Sequence, residues 1–198
     1  MRDMESTAGH PMEHHDHHEL PTSGRALTAV SVSATLHCLT GCAIGEIAGM
    51  AIGTATGMSN GATIVLAIAL AFLFGYSLTS LPLLRAGFAL AAVVPIALAS
   101  DTFSILTMEI VDNLVMVAIP GALHAGLGDL LFWGSLSFAL AIAFVFAVPV
   151  NRRLIARGKG HAAVHATGVH GGPSPVLVGV ITGTAFVFGA TVLVAELL

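Results

Sequence analysis

The feature that most constrains this chain is the stretch from Leu36 to Met58, in which glycine recurs at every fourth position. The glycines are Gly41, Gly45, Gly49, Gly53 and Gly57. Because residues four apart lie on one face of an α-helix, the stretch predicts a helix with a strip of bare backbone along one side. Strips of small residues allow two membrane helices to pack very closely. We therefore expect a partner helix on the Gly41–Gly57 face, supplied by the same chain, by a homo-oligomer or by another membrane protein.

A second row of residues runs beside the glycines at the same spacing. It carries thiol, carboxyl, thioether and hydroxyl groups: Cys38, Cys42, Glu46, Met50, Thr54 and Met58. Helical residues four apart have Cβ atoms about 5–6 Å apart, whereas a disulfide requires about 3.5–4.5 Å. The two cysteines are therefore predicted to be free thiols or metal ligands.

The composition places the chain in a membrane. Only 9% of its residues are charged and 56% are hydrophobic, whereas soluble domains contain about 25% charged residues. The predicted fold class is all-α, a polytopic helical protein of the cytoplasmic (inner) membrane with about five transmembrane helices. We expect no cleavable signal peptide, because the first 25 residues are polar and rich in histidine.

The chain is predicted to divide into a His-rich cytoplasmic tail, residues 1–24, and a helical membrane domain, residues 25–198. The spans are expected at about 27–58, 62–84, 87–119, 130–150 and 176–198. The tail interleaves five histidines with acidic residues, which is typical either of a solvated terminus or of weak capture of divalent metal ions. Those histidines are His10, His14, His15, His17 and His18.

The basic residues predict the orientation. With five spans, all seven Lys and Arg residues fall on one side of the membrane: Arg2, Arg25, Arg85, Arg152, Arg153, Arg157 and Lys159. Because basic loops remain in the cytoplasm, this side is predicted to be cytoplasmic and to include the N-terminus.

The acidic residues inside the spans are the strongest functional signal. Each ionisable group at membrane depth costs about 2.5–3.5 kcal/mol, and no Lys or Arg lies within a predicted span to neutralise Glu46, Asp101, Glu109 or Asp112. These groups must therefore be protonated, share protons or hold a cation. Helices one and three are predicted to be parallel, which brings Glu46 and Glu109 to similar depth.

The candidate metal ligands are Cys38, Cys42, Glu46, Asp101, Glu109 and Asp112. Thiolate and thioether groups favour Cu(I), whereas carboxylate and imidazole groups favour Zn, Mn or Fe. The mixture leaves the metal open, with Cu(I) and Zn as the leading candidates. The alternative is a purely structural role, in which the cysteines are small hydrophobic core residues. His37 heads the glycine row, and we expect it to form a hydrogen bond across the helix interface.

Four strings carry a family resemblance: LHCLTGCAIGE, DTFSILTMEIVDN, LFWGSL and VNRRLIARGKGHA. Together they resemble a family of small bacterial integral membrane proteins, the domain-of-unknown-function 4396 family, over about Leu36 to Ala162. The resemblance implies a polytopic helical membrane domain and brings no established activity.

The leading functional hypothesis is transport or delivery of a transition-metal cation through a thiol and carboxylate site in the bundle. A structural or assembly subunit of a membrane complex is one alternative, and a proton-coupled carrier of a small solute is another. An enzyme is not expected, because the sequence contains no Ser–His or HExxH arrangement and no nucleotide fingerprint. The expected partners are lipid and a metal ion, and no nucleic acid.

Overall fold

A computed structural model describes residues 21–165, 167 and 175–197 and confirms the all-α class. The helices are α1 Gly24–Thr56, α2 Asn60–Arg85, α3 Leu90–Ala118, α4 Leu130–Ile155, α5 Ala162–His165 and α6 Pro175–Leu197, and a 3-10 turn covers Ala122–His124. The predicted tail histidines lie outside the described residues. So does His170 of the segment between α4 and α6.

Four helices, α1 to α4, are long and apolar enough to cross a membrane. α6 adds a shorter apolar stretch, Thr182–Glu196, among the described side chains. α1 is continuous over 33 residues, about 50 Å at 1.5 Å per residue, and therefore exceeds a hydrocarbon core of about 30 Å. The protein is an integral, multi-pass helical membrane protein, and the count of five spans and the orientation stay predictions.

The glycine face of α1 packs directly against α2. The contacts pair residues in antiparallel register, four residues at a time: Gly41 with Gly75, Gly45 with Ala71, Gly49 with Ala67 and Gly53 with Thr63. A Cβ added to Gly45 would lie 2.2 Å from the backbone nitrogen of Ala71. There is no room for a methyl group, so only glycine permits this approach, as the small-residue strip predicts.

This packing supplies the partner helix from the same chain, one of the three possibilities that the sequence analysis gave for the glycine face. The face from Gly41 to Gly53 is covered by α2. Gly57 has a different role, because it ends α1 in the left-handed conformation with φ +67°. A partner protein therefore stays a prediction without an assigned surface.

The second row of α1 faces α3, which runs parallel to α1 as predicted. Cys38 contacts Asp101, Cys42 lies beside Glu109, and Glu46 lies beside Asp112. Successive helical residues are rotated by about 100°, so the glycine row can meet α2 while the adjacent row meets α3. α4 packs against α1 and α3, and α6 packs mainly against α4.

One end of the bundle carries the basic residues, and we call it the basic end. It contains the start of α1, the end of α2, the last turn of α4 and the segment that follows α4, with Arg25, Arg85, Arg152, Arg153, Arg157 and Lys159. The opposite end contains the α1–α2 turn and the Ala122–His124 turn, where Asn60 and His124 form a hydrogen bond of 3.2 Å.

The chain reverses direction at the basic end. Gly158 (φ +67°) follows the end of α4, with hydrogen bonds from Gly158 N to Ile155 O and from Lys159 N to Leu154 O; this pair of bonds is a Schellman motif. Gly160, also at positive φ (+62°), sits close to the Leu154 side chain. After these two turns the chain runs back into the bundle.

We predict that Gly45→Ala destabilises the fold by about 1–3 kcal/mol, because overpacking forces backbone shifts of this cost. The matched control is Gly61→Ala on α2, where nothing lies within 4 Å of the added methyl group and where replacing a helical glycine by alanine contributes up to about 1 kcal/mol of stability. The measurement is the unfolding midpoint of detergent-purified protein in a titration with sodium dodecyl sulfate. Equal midpoints for Gly45→Ala and the parent protein would contradict the tight α1–α2 contact.

Candidate functional site

The candidate site is a cluster of one thiol, one carboxylate and one imidazole, which we call the Cys–Asp–His site. Cys38 of α1 donates its thiol hydrogen to Asp101 Oδ1 of α3 at 3.6 Å, and His161 Nδ1 lies 3.2 Å from the same oxygen. One ligand atom from each residue lies within 4.8 Å of the other two. Cys38 and Asp101 are each 1% exposed, so the site is enclosed by the bundle.

His161 reaches this site because of the turns after α4. Gly160 directs the chain inward, and Ala162 is buried in a small apolar cluster with Leu27, Ala34 and Ile155. This packing holds the returning segment against the first turns of α1 and the last turn of α4. The His161 side chain is therefore carried into the bundle at the level of Cys38.

A second histidine lies beside the site. His37 Nε2 is 3.0 Å from the hydroxyl oxygen of Thr79 in α2, and this bond confirms the prediction of a contact across the helix interface. The His37 and His161 rings lie with their centroids 5.5 Å apart. His37 therefore lines the site next to His161 while its Nε2 is engaged by α2.

A buried amide supports the site from the side of α4. Asn151 Nδ2 donates hydrogen bonds to Thr35 Oγ1 at 2.8 Å and to Ser104 Oγ at 2.9 Å, and Ser104 in turn lies beside the Cys38 thiol. All four side chains are buried. The amide thus joins α1, α3 and α4 directly behind the ligand atoms and fixes their relative positions.

A second polar group, which we call the acidic cluster, lies deeper between α1 and α3. It consists of Cys42, Glu46, Glu109 and Asp112, with Cys42 next to Glu109 and Glu46 next to Asp112 and Glu109. All four are buried, and within the described part of the chain neither oxygen of Glu109 or Asp112 has a hydrogen-bond partner of good geometry. Carboxyl groups so placed are expected to be protonated or to bind a cation.

The structure therefore divides the predicted ligands between two levels. Cys38 and Asp101 belong to the Cys–Asp–His site, and the other four belong to the acidic cluster. Cys38 and Glu46 are eight positions apart in α1, which corresponds to about 12 Å along the helix. The six predicted ligands thus do not form one site, although all six line the same interface between α1 and α3.

His161 is the ligand that the sequence analysis did not select. His161 lies in the segment between the fourth and fifth predicted spans, and nothing in helical periodicity places a connecting residue inside a bundle. One local sequence feature does indicate the position of His161. Two glycines next to a helix end permit the chain to turn back sharply, and the histidine follows them directly in Gly158-Lys159-Gly160-His161.

The donor set fits a divalent transition metal. In tetrahedral zinc sites, bond lengths of about 2.3 Å to sulfur and about 2.0–2.2 Å to nitrogen or oxygen place neighbouring ligand atoms about 3.4–3.6 Å apart. The separations from Asp101 Oδ1, 3.6 Å to Cys38 Sγ and 3.2 Å to His161 Nδ1, are close to these values, and all three ligand atoms lie within 4.8 Å of one another. A thiolate and a carboxylate would also balance the charge of a divalent ion, which matters in a buried site. A monovalent Cu(I) ion would leave a net negative charge.

We predict that Asn151→Ala destabilises the protein by about 1–2 kcal/mol, because hydrogen bonds between membrane helices contribute amounts of this order. Asn113→Ala is the matched control. Among the described residues, Asn113 donates to the carbonyl of Glu109 in its own helix, and its replacement is expected to cost less than about 0.5 kcal/mol. Unfolding midpoints in sodium dodecyl sulfate provide the comparison. Similar midpoints for the two variants would argue against Asn151 as the link between three helices.

The comparisons with known proteins identify the family to which the chain belongs. A search of curated proteins and a search of solved structures each found no match. The family model described as domain of unknown function (DUF4396) matches residues 29–160. This range contains Cys38, Asp101 and the acidic cluster, and it ends one residue before His161. Because the match covers more than half of the chain, it confirms the resemblance seen in the sequence. The chain belongs to the DUF4396 family.

Proposed function

We propose that this protein transports or delivers a divalent transition-metal cation, with Zn²⁺ as the ion that fits best, and that it binds the ion at the Cys–Asp–His site. The observation that carries the proposal is the meeting of Cys38, Asp101 and His161 within 4.8 Å of one another. The three residues come from α1, α3 and the segment after α4. Separate segments of one chain rarely place a thiol, a carboxylate and an imidazole together in an apolar bundle without a use for them.

The number of ligands supports exchange of the ion over permanent storage. Structural zinc sites have four protein ligands, whereas sites with an open position have three. The three ligands here would leave a fourth position for water or for a ligand of a donor molecule. An ion held in this way can be loaded and released, as transport or delivery requires.

The surroundings support a proposed route along the interface between α1 and α3. The acidic cluster continues the polar surface of α1 and α3 beyond the Cys–Asp–His site, while the outer faces of both helices are apolar and exposed, with Ile44, Phe103 and Leu114 among them. Apolar outer faces suit lipid. We propose that an ion enters at the basic end and moves along this interface. The cytoplasmic location of that end is part of the proposal.

The test measures zinc in purified protein and in proteoliposomes. It uses the full chain with the five tail histidines replaced by glutamine, so that the tail contributes no metal. Cys38→Ser, Asp101→Asn and His161→Ala are expected to weaken zinc binding by about 10-fold to 100-fold or more, since loss even of an outer-shell partner costs about that much. Zinc entry, reported by a trapped fluorescent indicator, is expected to fall in parallel.

The chain offers matched controls for these variants. His124→Ala and Asp129→Asn change the same residue types in the exposed loop at the opposite end, and both are expected to keep parental zinc binding and zinc entry. Unchanged binding in all three site variants would overturn the proposed site. Binding without entry would favour the delivery role, and no binding in the parent protein would favour an assembly subunit.

A further inference from the structure

We infer that residues 158–165, which we call the gate segment, form a hinged gate over the Cys–Asp–His site. The structure shows the closed state, in which His161 completes the site. When the gate segment swings away, the site opens toward the basic end and the Cys38 thiol becomes accessible to water. The inference rests on the proposed function for the identity of the ion, and it adds how the site is opened and closed.

The first argument is the burial of the ligands under the gate segment. Cys38 and Asp101 are each 1% exposed, whereas the His161 side chain is 12% exposed. His161 Nδ1 lies 3.2 Å from Asp101 Oδ1, the oxygen that also accepts the hydrogen of the Cys38 thiol. The ligand that reaches solvent is therefore the one on the gate segment. Because the other two ligands are enclosed, an ion from the basic end needs the segment to move before it reaches them.

The second argument is the pair of glycines at the start of the gate segment. Gly158 and Gly160 have φ values of +67° and +62°, and glycine adopts positive and negative φ with similar ease. Lys159 between them is exposed. Hinges are short stretches whose backbone angles can change widely, and these two glycines provide such a stretch between α4 and His161.

The third argument is that the gate segment is a structural unit of its own. Ala163 N donates a hydrogen bond to Gly160 O at 2.9 Å, and Val164 N donates one to His161 O at 3.2 Å. Both bonds lie within the segment, so they can be kept while it moves. The segment can therefore rotate about its glycines without losing its local fold.

The fourth argument is the small anchor that holds the gate segment closed. Among the described side chains of residues 158–164, Ala162 is the buried one. The apolar cluster around it contains Leu27, Ala34 and Ile155. A single methyl group buries little apolar area, and segments with few buried apolar contacts open at low free energy. The contact between His161 and Asp101 is the second hold, and an ion bound to both residues would strengthen it.

The chain carries its own reporters for this motion, because Cys38 and Cys42 are its only cysteines. Cys42→Ser leaves one thiol directly under the gate segment. Cys38→Ser leaves one thiol that is also 1% exposed but lies a turn deeper between α1 and α3. Each chain, with the tail histidines replaced by glutamine, is purified in detergent with a chelator and treated with a quaternary-ammonium methanethiosulfonate, which reacts from water. Intact mass gives the labelling rate, which for a buried thiol reports how often it is exposed.

Two variants loosen the gate without touching a ligand. Leu27→Ala is expected to speed Cys38 labelling about 10-fold or more, because truncation of a buried leucine destabilises the state that buries it by at least that factor. Gly160→Ala is expected to speed it about 5-fold to 30-fold, because the left-handed conformation at this position is strained for alanine. Cys42 labelling is expected to stay at its parental rate in both variants.

Leu136→Ala is the matched control for the loss of a buried leucine. Leu136 packs in a separate apolar cluster with Ala125 and Phe132, away from the gate segment. Cys38 labelling in this variant is expected to equal that of the parent chain. The gate would be overturned by parental Cys38 labelling in both gate variants. Equal acceleration at Cys42 would also overturn it, because the whole bundle would then have loosened.

Zinc separates this inference from the proposed function. Added Zn²⁺ is expected to protect Cys38 from labelling in the parent chain, because a metal-bound thiolate does not react with the reagent. Faster labelling in the gate variants without protection by zinc would keep the gate and overturn the metal site. Protection by zinc with no effect of the gate variants would overturn the gate and leave the proposed function intact.

Discussion

The close contact between α1 and α2 is the constraint on which the rest of the bundle depends. Because Gly45 meets the backbone of Ala71 directly, α1 cannot rotate about its axis without a collision. The neighbouring row, about 100° away, is thereby held toward α3. The close packing of the α1 glycines against α2 thus determines the direction in which the side chains of Cys38, Cys42 and Glu46 point.

The interface between α1 and α3 carries a cost that packing alone does not explain. Buried carboxyl groups in a membrane are expensive, and Glu109 and Asp112 have no hydrogen-bond partner among the described residues.

The Cys–Asp–His site differs from the acidic cluster in how it is assembled. The cluster lies on two parallel helices, whereas the site also requires the segment after α4, held by Ala162 in its apolar cluster. Binding at this site would join that segment to α1 and α3. A bound ion at the entry of the proposed route would therefore also hold in place the segment that carries His161.

The sequence by itself determined the membrane class, the need for a closely packed helix on the glycine face and the row of candidate ligands beside it, because four-residue spacing fixes which side chains share a helix face. It also placed α1 parallel to α3, since alternate spans run in the same direction. Only the tertiary structure decided which ligands meet. Helical spacing does not fix how far one helix is shifted along its axis relative to another. The structure shows that Cys42 lies beside Glu109 and that Glu46, one turn further along α1, lies beside Asp112. The part played by His161 also came from the tertiary structure, because two glycine turns set its path and no periodic pattern describes a connecting segment that returns into the bundle.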